Sequence, residues 1–232
     1  MLEAYGVTDI GLHREANEDS YSILPDNTYI VADGMGGHAA GDVASGLMVT
    51  AAEDALSREN IDETVLKEAV LAGNKKILAE AELHPERKGM GTTATLLHCE
   101  EERAYWAHVG DSRLYLLRSG KLQQITRDHS YVADLLANGT ITAAEAETHP
   151  QRNMLLRAVG VSEKLQVDAG AFDLQKGDKL LICSDGLTKM VSDEEIRDIL
   201  QNRQGQQLAQ SLVDKAISAG GNDNVTVVVV ER

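Results

Sequence analysis

Aromatic side chains are nearly missing from this chain: one Trp, one Phe and six Tyr make up 3% of it. Its core must therefore be aliphatic, and at 43% hydrophobic residues there is enough Val, Leu, Ile and Ala to build a substantial one. Positive charge is scarce as well. Against 37 Asp and Glu stand 22 Lys and Arg, a net charge of −15. That argues against nucleic acid or an anionic membrane as partner, where basic residues supply most of the affinity. Cysteine is limited to Cys99 and Cys183, neither in a C-x-x-C motif. Cys183 follows Leu180, Leu181 and Ile182, and reads as a small buried thiol rather than a nucleophile or half of a disulfide. The start, MLEAYGVTDIG, lacks the basic and apolar regions of a signal peptide. No apolar run approaches membrane-spanning length, and the longest, Val225 to Val230, is interrupted by Thr226. A soluble, cytoplasmic protein is expected. Three prolines are spread singly, without repeats or linkers, so the 232 residues read as one domain.

What the chain does have is aspartate at turns. Five segments each place an Asp where strand-like sequence meets a glycine-rich or polar turn: NED at 17–19, DGMGGH at 33–38, GDSR at 110–113, SDG at 184–186 and GNDN at 221–224. One such Asp is ordinary, because Asp bonds its own backbone in turns. Five after β-rich runs suggest carboxylates delivered to one end of a sheet scaffold. Clustered carboxylates repel, and ionising them together requires a compensating charge. Hard divalent cations such as Mg²⁺ or Mn²⁺ supply it.

The periodicity gives the scaffold. Tyr21 to Leu24 and Tyr29 to Ala32 read as strands, followed by a helix from about Ala40 to Leu56 and a second starting near Asp62. Thr92 to His98, Arg103 to Val109, Arg113 to Arg118 and Lys121 to Ile125 read as an antiparallel meander. Residues 128–160 form a polar, Ala-rich, weakly helical insertion, read as a mobile flap. Strands at Gln166 to Ala171 and Lys179 to Cys183 come next. Ser192 and Glu195 fit a capping box, a last helix spans about Gln206 to Ala219, and Asn224 to Val230 closes the chain. Strands without regularly alternating helices argue against a doubly wound parallel fold. Helices early and late around many strands give an α+β fold, an α-β-β-α sandwich of two antiparallel sheets flanked by helices. The chain stops just past its last strand, so no receptor or sensor domain is expected.

Taken singly, the motifs stay open. DGMGGH also fits a strand–turn–helix junction, SDG and GNDN fit turns, and GDSR between two strands fits a hairpin turn. Arg14 offers paired planar donors suited to phosphate but also suits a salt bridge to Glu15 or Glu18. His38 could donate a proton to a leaving group or cap a helix. No Ser–His–Asp or Cys–His order stands out, and the glycine segment lacks the Lys-Ser/Thr of a nucleotide-binding loop. The remaining chemistry is attack by metal-activated water on a phosphoryl centre.

From Asp9 to Val230 the chain resembles a bacterial Mg²⁺/Mn²⁺-dependent serine/threonine protein phosphatase of the type 2C (PPM) family. The resemblance rests on GLHREANED, VADGMGGHAAGDVAS, GMGTTAT, AHVGDSRLYLLR, TRDHS, LLRAVG, LLICSDGLT and GGNDNVTVVVV, in that order. It implies a dinuclear site at one end of two facing sheets, holding two Mn²⁺ or Mg²⁺ ions per chain and a weaker third. By the same resemblance Asp33 bridges both ions and the Gly34 carbonyl binds the second. Asp185 and Asp223 hold the first, Asp19 with Glu18 supports the second, and Asp111 shares the third with Asp185. Arg14 clamps the substrate phosphate, residues 128–160 screen substrates, and a metal-bridging hydroxide attacks phosphorus in line. Met35 replaces the histidine that eukaryotic members carry after Asp-Gly, which leaves His38 as the candidate acid. Lys189 stands where this pattern leads one to expect a more acidic or neutral residue after SDGLT, and nothing in the sequence accounts for it.

The implied function is hydrolysis of phosphoserine and phosphothreonine in proteins, by a monomer that opposes a serine/threonine kinase. Two rivals are a non-catalytic phosphoprotein-binding regulator and a metallo-phosphoesterase acting on small metabolites. Every aspartate position the family needs is filled, which weighs against the first. The long insertion weighs mildly against the second.

Overall fold

The structure is a computed structural model that describes residues 2–36, 40–57 and 60–232. Its strands are β1 (Glu3–Asp9), β2 (Asp19–Leu24), β3 (Thr28–Met35), β4 (Gly91–Thr92), β5 (Ala94–Cys99), β6 (Arg103–Val109), β7 (Arg113–Arg118), β8 (Lys121–Gln124), β9 (Asp168–Asp173), β10 (Lys179–Cys183) and β11 (Val225–Glu231). Its helices are α1 (Gly41–Leu56), α2 (Glu63–Leu83), α3 (Tyr131–Ala137), α4 (Ala143–Glu147), α5 (Asp185–Thr188), α6 (Asp193–Asn202) and α7 (Gly205–Ser218).

The strands make two antiparallel sheets, one in the order β1-β11-β10-β7-β8 and one in the order β2-β3-β5-β6-β9, with β4 beside β3. Strand alternation builds three apolar layers. On β3, Ile30 and Ala32 face α1 and α2, while Tyr29 and Val31 face the other sheet. On β11, Val225, Val227 and Val229 pack under α5, α6 and α7, while Val228 and Val230 turn to the middle. The expected α-β-β-α sandwich is what the chain forms. Both cysteines are free and buried. No helix among the described residues is long and apolar enough to cross a membrane.

Local signals account for the helix starts. The Asp62 side chain accepts from the Val65 N–H to cap α2, and Ser192 with Glu195 forms the full capping box that opens α6. Four expectations need correction. The meander breaks at Gly110: β5 and β6 pair in one sheet, β7 and β8 in the other, and residues 110–112 cross between them. The strand expected over Thr92 to His98 is split, because the Thr93 N–H turns to the Asp33 carbonyl (2.8 Å). β3 runs beyond Ala32 to Met35, since Gly91 and Thr92 pair with Met35 and Gly34. β1 and the four-residue α5 were not expected from periodicity at all.

The consequence for function lies at one end of the sandwich. The register pairs Asp19 with Asp33, Ala94 with Val109, Arg113 with Cys183 and Cys183 with Val227. The start of β2 and the last turnward residues of β3 and β6 therefore share an end with the starts of β7 and β11 and the finish of β10.

Candidate active site

All five aspartate motifs open onto that end. Asp19 begins β2 and faces Asp33 on β3. Asp111 sits in the crossover from β6 to β7, Asp185 opens α5 directly after β10, and Asp223 precedes β11. Two hydroxyl contacts tie the sheets together here. Ser184 Oγ donates to Asp19 Oδ2 (2.7 Å), and the Thr93 and Ser112 hydroxyls share a hydrogen bond (2.7 Å).

The carboxyls repel one another as the sequence led one to expect. Burial raises the Asp33 pKa well above the ordinary carboxylate range, and Asp19, Asp185, Asp111 and Asp223 add to it. Burial pushes Asp19 up to about 7, against hydrogen bonds from Thr226 and Ser184 and with help from Asp185 and Asp223. Asp111 is pushed to about 7 by burial and Asp185, with Lys189 opposing. Asp185 is raised by burial, although Lys189 pulls it back.

Asp19 Oδ1 and Asp185 Oδ1 are buried and accept no hydrogen bond. Buried oxygens of this kind are rare and call for a partner. Hard oxygens, mutual repulsion and two orphaned acceptors suit a divalent cation such as Mg²⁺ or Mn²⁺. The fit is one of donor chemistry rather than of a finished cage: among the described residues, no group of three or more His, Cys, Asp or Glu side chains is arranged to hold a metal ion. Basic side chains hold two of the carboxylates instead. Arg14 Nη2 lies 2.6 Å from Asp223 Oδ1. Lys189 Nζ pairs with Asp185 Oδ2 and lies 3.5 Å from Asp223 Oδ2. Burial alone would lower the Lys189 pKa, but Asp185, Asp223 and Asp111 outweigh it and raise it.

Glu18 and Gly34 meet through the backbone. The Gly34 N–H donates to the Glu18 carbonyl (3.0 Å), which also accepts from Ser45 Oγ (2.6 Å). A Cβ at position 34 would collide with the carbonyl oxygens of Gly41 and Glu18, so only glycine lets these three segments converge. The Glu18 carboxyl is raised by burial, against Arg14 and with Asp42 and Asp223. His38 lies outside the described residues.

Residues 13–218 match the family model for protein phosphatase 2C. The chain belongs to that family. It is 44% identical over 237 residues to the serine/threonine phosphatase Stp of Listeria welshimeri, covering 97% of this chain and 94% of that one. It superposes on the crystal structure of the Mycobacterium tuberculosis serine/threonine phosphatase PstP/Ppp with a TM-score of 0.93 at 41% identity, covering 99% and 98% of the two chains. A PstP catalytic domain in complex with two manganese ions gives a TM-score of 0.92 at 40% identity, over 99% of this chain and 97% of that one.

The type 2C scaffold also uses residues that motif reading passed over. Asn224 fastens the loop ahead of β2: its Oδ1 accepts from the Glu18 N–H (2.9 Å), and its Nδ2 donates to the carbonyls of Ile10 (2.8 Å) and Ala16 (3.0 Å). Ser184, read as a turn residue, orients Asp19. His129 of TRDHS accepts from the Gly110 N–H at Nδ1 (3.1 Å) and meets Asp168 at Nε2 (3.0 Å), while Arg157 of LLRAVG donates to Asp168 (2.8 Å). Arg113 of GDSR forks onto Asp128 of TRDHS with bonds of 2.8 to 3.1 Å. The only available signal was that these polar residues recur inside the quoted motifs. Their pairing over long sequence separations was not visible.

Proposed function

We propose that this metal-dependent serine/threonine protein phosphatase of type 2C works through a two-ion site built from its five aspartate motifs. In this reading Asp33, Asp185 and Asp223 would hold the first ion, and Asp33, Asp19, Glu18 and the Gly34 carbonyl would hold the second. Asp111 with Asp185 offers a weaker third position. The observation that carries the reading is the pair of orphaned buried oxygens, Asp19 Oδ1 and Asp185 Oδ1, among mutually repelling carboxyls. The manganese pair in the PstP relative supports two ions, and Mn²⁺ or Mg²⁺ suits the all-oxygen donors. When bound, such ions supply Lewis acidity and lower the pKa of the water that attacks phosphorus.

The chain's own residues do the rest. Arg14 leaves Asp223 to grip the substrate phosphate with its planar paired donors. Its side chain is 46% exposed and so has room to turn. Ser184 keeps Asp19 aimed, and Asn224 holds the Arg14–Glu18 loop against β11. His38 is the proton donor to the departing serine or threonine oxygen. Residues 128–160 act as the flap that selects protein substrates. The substrates are phosphorylated proteins, a serine/threonine kinase of the same cell among them, and the enzyme acts as a cytoplasmic monomer. Two free buried thiols and no disulfide suit a reducing compartment.

Phosphate release from a phosphothreonine peptide in Mn²⁺, Mg²⁺ or EDTA tests this, with Asp33→Asn as control. Release that needs metal and vanishes in the variant is the expected result. Near-normal turnover by Asp33→Asn overturns the site. Arg14→Ala should mainly raise KM for the peptide and leave metal affinity little changed.

A further inference from the structure

Lys189 stands inside the acidic end with no part in the reading above. It caps the C-terminus of α5, where its backbone N–H donates to the Asp185 carbonyl (2.8 Å). One helical turn separates it from Asp185, so its side chain returns over the carboxylate that opens the helix. The ammonium pairs with Asp185 Oδ2 and reaches toward Asp223 Oδ2 at 3.5 Å. It thus joins the junction after β10 to the loop before β11.

Resting on the two-ion reading, we propose that Lys189 is a built-in competitor for the first ion, an internal cation that holds Asp185 and Asp223 together until a metal displaces it. These are the two carboxylates that, with Asp33, the reading gives to the first ion, Asp185 serving the weaker third position as well. An ammonium and a divalent cation repel each other, and an oxygen facing one is lost to the other. Lys189 can yield, because its side chain is 34% exposed and rides on a flexible four-carbon stem. Asp185 Oδ1 stays free while Oδ2 is paired, which gives an arriving ion a first foothold. Arg14 also pairs with Asp223, but through Oδ1, leaving Oδ2 to Lys189.

Two effects follow. The metal-free chain keeps a counter-charge among its crowded carboxylates and so stays folded. Each binding event must break the lysine pairs, which weakens affinity for the first ion and speeds its exchange.

The test titrates Mn²⁺ by calorimetry into the EDTA-stripped full chain, comparing wild type with Lys189→Met and Lys189→Arg, and records melting in EDTA. Met keeps the length without the charge, and Arg keeps the charge. Lys189→Met should bind its first Mn²⁺ roughly fivefold more tightly, the size expected from one partly exposed ion pair, and should melt lower in EDTA. Lys189→Arg should stay near wild type in both. A Kd for Lys189→Met within about twofold of wild type, or weaker, overturns the proposal whatever the melting shows. Loss of phosphopeptide affinity with unchanged Mn²⁺ binding overturns it too, by making Lys189 a substrate contact. Wild-type protein that takes up no Mn²⁺ overturns the two-ion reading itself, and this inference falls with it.

Discussion

Asp19 and Asp33 stand directly opposite each other across the β2–β3 pair, two carboxylates in one register position at the end of a sheet. Burial and this proximity together raise Asp33. The metal-free chain carries that repulsion as a standing destabilisation. Asp19→Asn keeps the shape and an acceptor for Ser184 while removing one charge. Its melting temperature in EDTA at pH 8 should therefore rise, by about 2–5 °C, while Mn²⁺ affinity falls by about tenfold or more. Differential scanning fluorimetry with and without Mn²⁺ checks both. A variant less stable than wild type without metal would show that the repulsion is already neutralised.

Asp168 joins two basic groups at the base of the segment between Ser130 and Leu155, themselves paired by an isolated bridge. It takes the Nε2 of His129 and the Nη1 of Arg157. Burial raises its pKa, but His129 and Arg157 outweigh that and hold it low. Asp168→Asn should cost only about 1 kcal/mol in stability, since the pair is partly exposed. It should instead loosen residues 131–155. Hydrogen exchange there should quicken, and KM for a phosphoprotein should change more than KM for a small aryl phosphate. Unchanged exchange in that segment would mean that α3 and α4 are held elsewhere.

The order of the elements was enough for the sandwich, with helices early and late around many strands. Which face each residue of β3 and β11 takes was not legible, because both strands are apolar on both sides and buried almost throughout. What else stayed hidden depends on partners distant in sequence. Gly110 reads as a hairpin turn, yet its N–H bonds His129 and the chain crosses to the other sheet there. β1 carries Gly6 in mid-strand, where the missing side chain admits the Tyr21 ring, and so its alternation is weak. The aspartates of the site were legible because each lies beside a turn signal. Nothing in the sequence marks Ser184 as the partner of Asp19, since 165 residues separate them and a serine before Asp-Gly has a sufficient local explanation. Lys189 could be noticed as odd, but its contact with Asp223 exists only once β10 and β11 are side by side.

His108 is fully buried, with Nδ1 bonded to Thr95 Oγ1 (2.9 Å) and Nε2 to the Gly110 carbonyl (3.0 Å). Burial and the neighbouring His129 push its pKa down to about 3. A histidine depressed in the folded state binds fewer protons there than when unfolded. Its contribution is thus present above about pH 6.5 and is lost as pH falls toward about 3, at roughly 1.4 kcal/mol per pH unit. Urea unfolding between pH 7 and pH 4 should show this acid slope. His108→Gln should lower stability at pH 7 yet give a shallower slope, and an unchanged slope would assign the acid sensitivity to other groups.

Two glycines separate close backbone approach from mere flexibility. At Gly34 a methyl group would strike the Gly41 carbonyl and come within 2.5 Å of the Glu18 carbonyl, both backbone atoms that cannot rotate away. At Gly46, within α1, nothing lies within 4 Å of the same added atom. Gly46→Ala should therefore stabilise the chain by about 0.5–1 kcal/mol through helix propensity and unfolded-state entropy, with activity unchanged. Gly34→Ala should lose more than about 3 kcal/mol, because relief requires separating the Glu18 loop from the start of α1. Chemical denaturation of the two variants decides the matter. If Gly34→Ala is tolerated as well as Gly46→Ala, then the convergence of Glu18, Gly34 and Gly41 is not what holds the first acidic motif against β3.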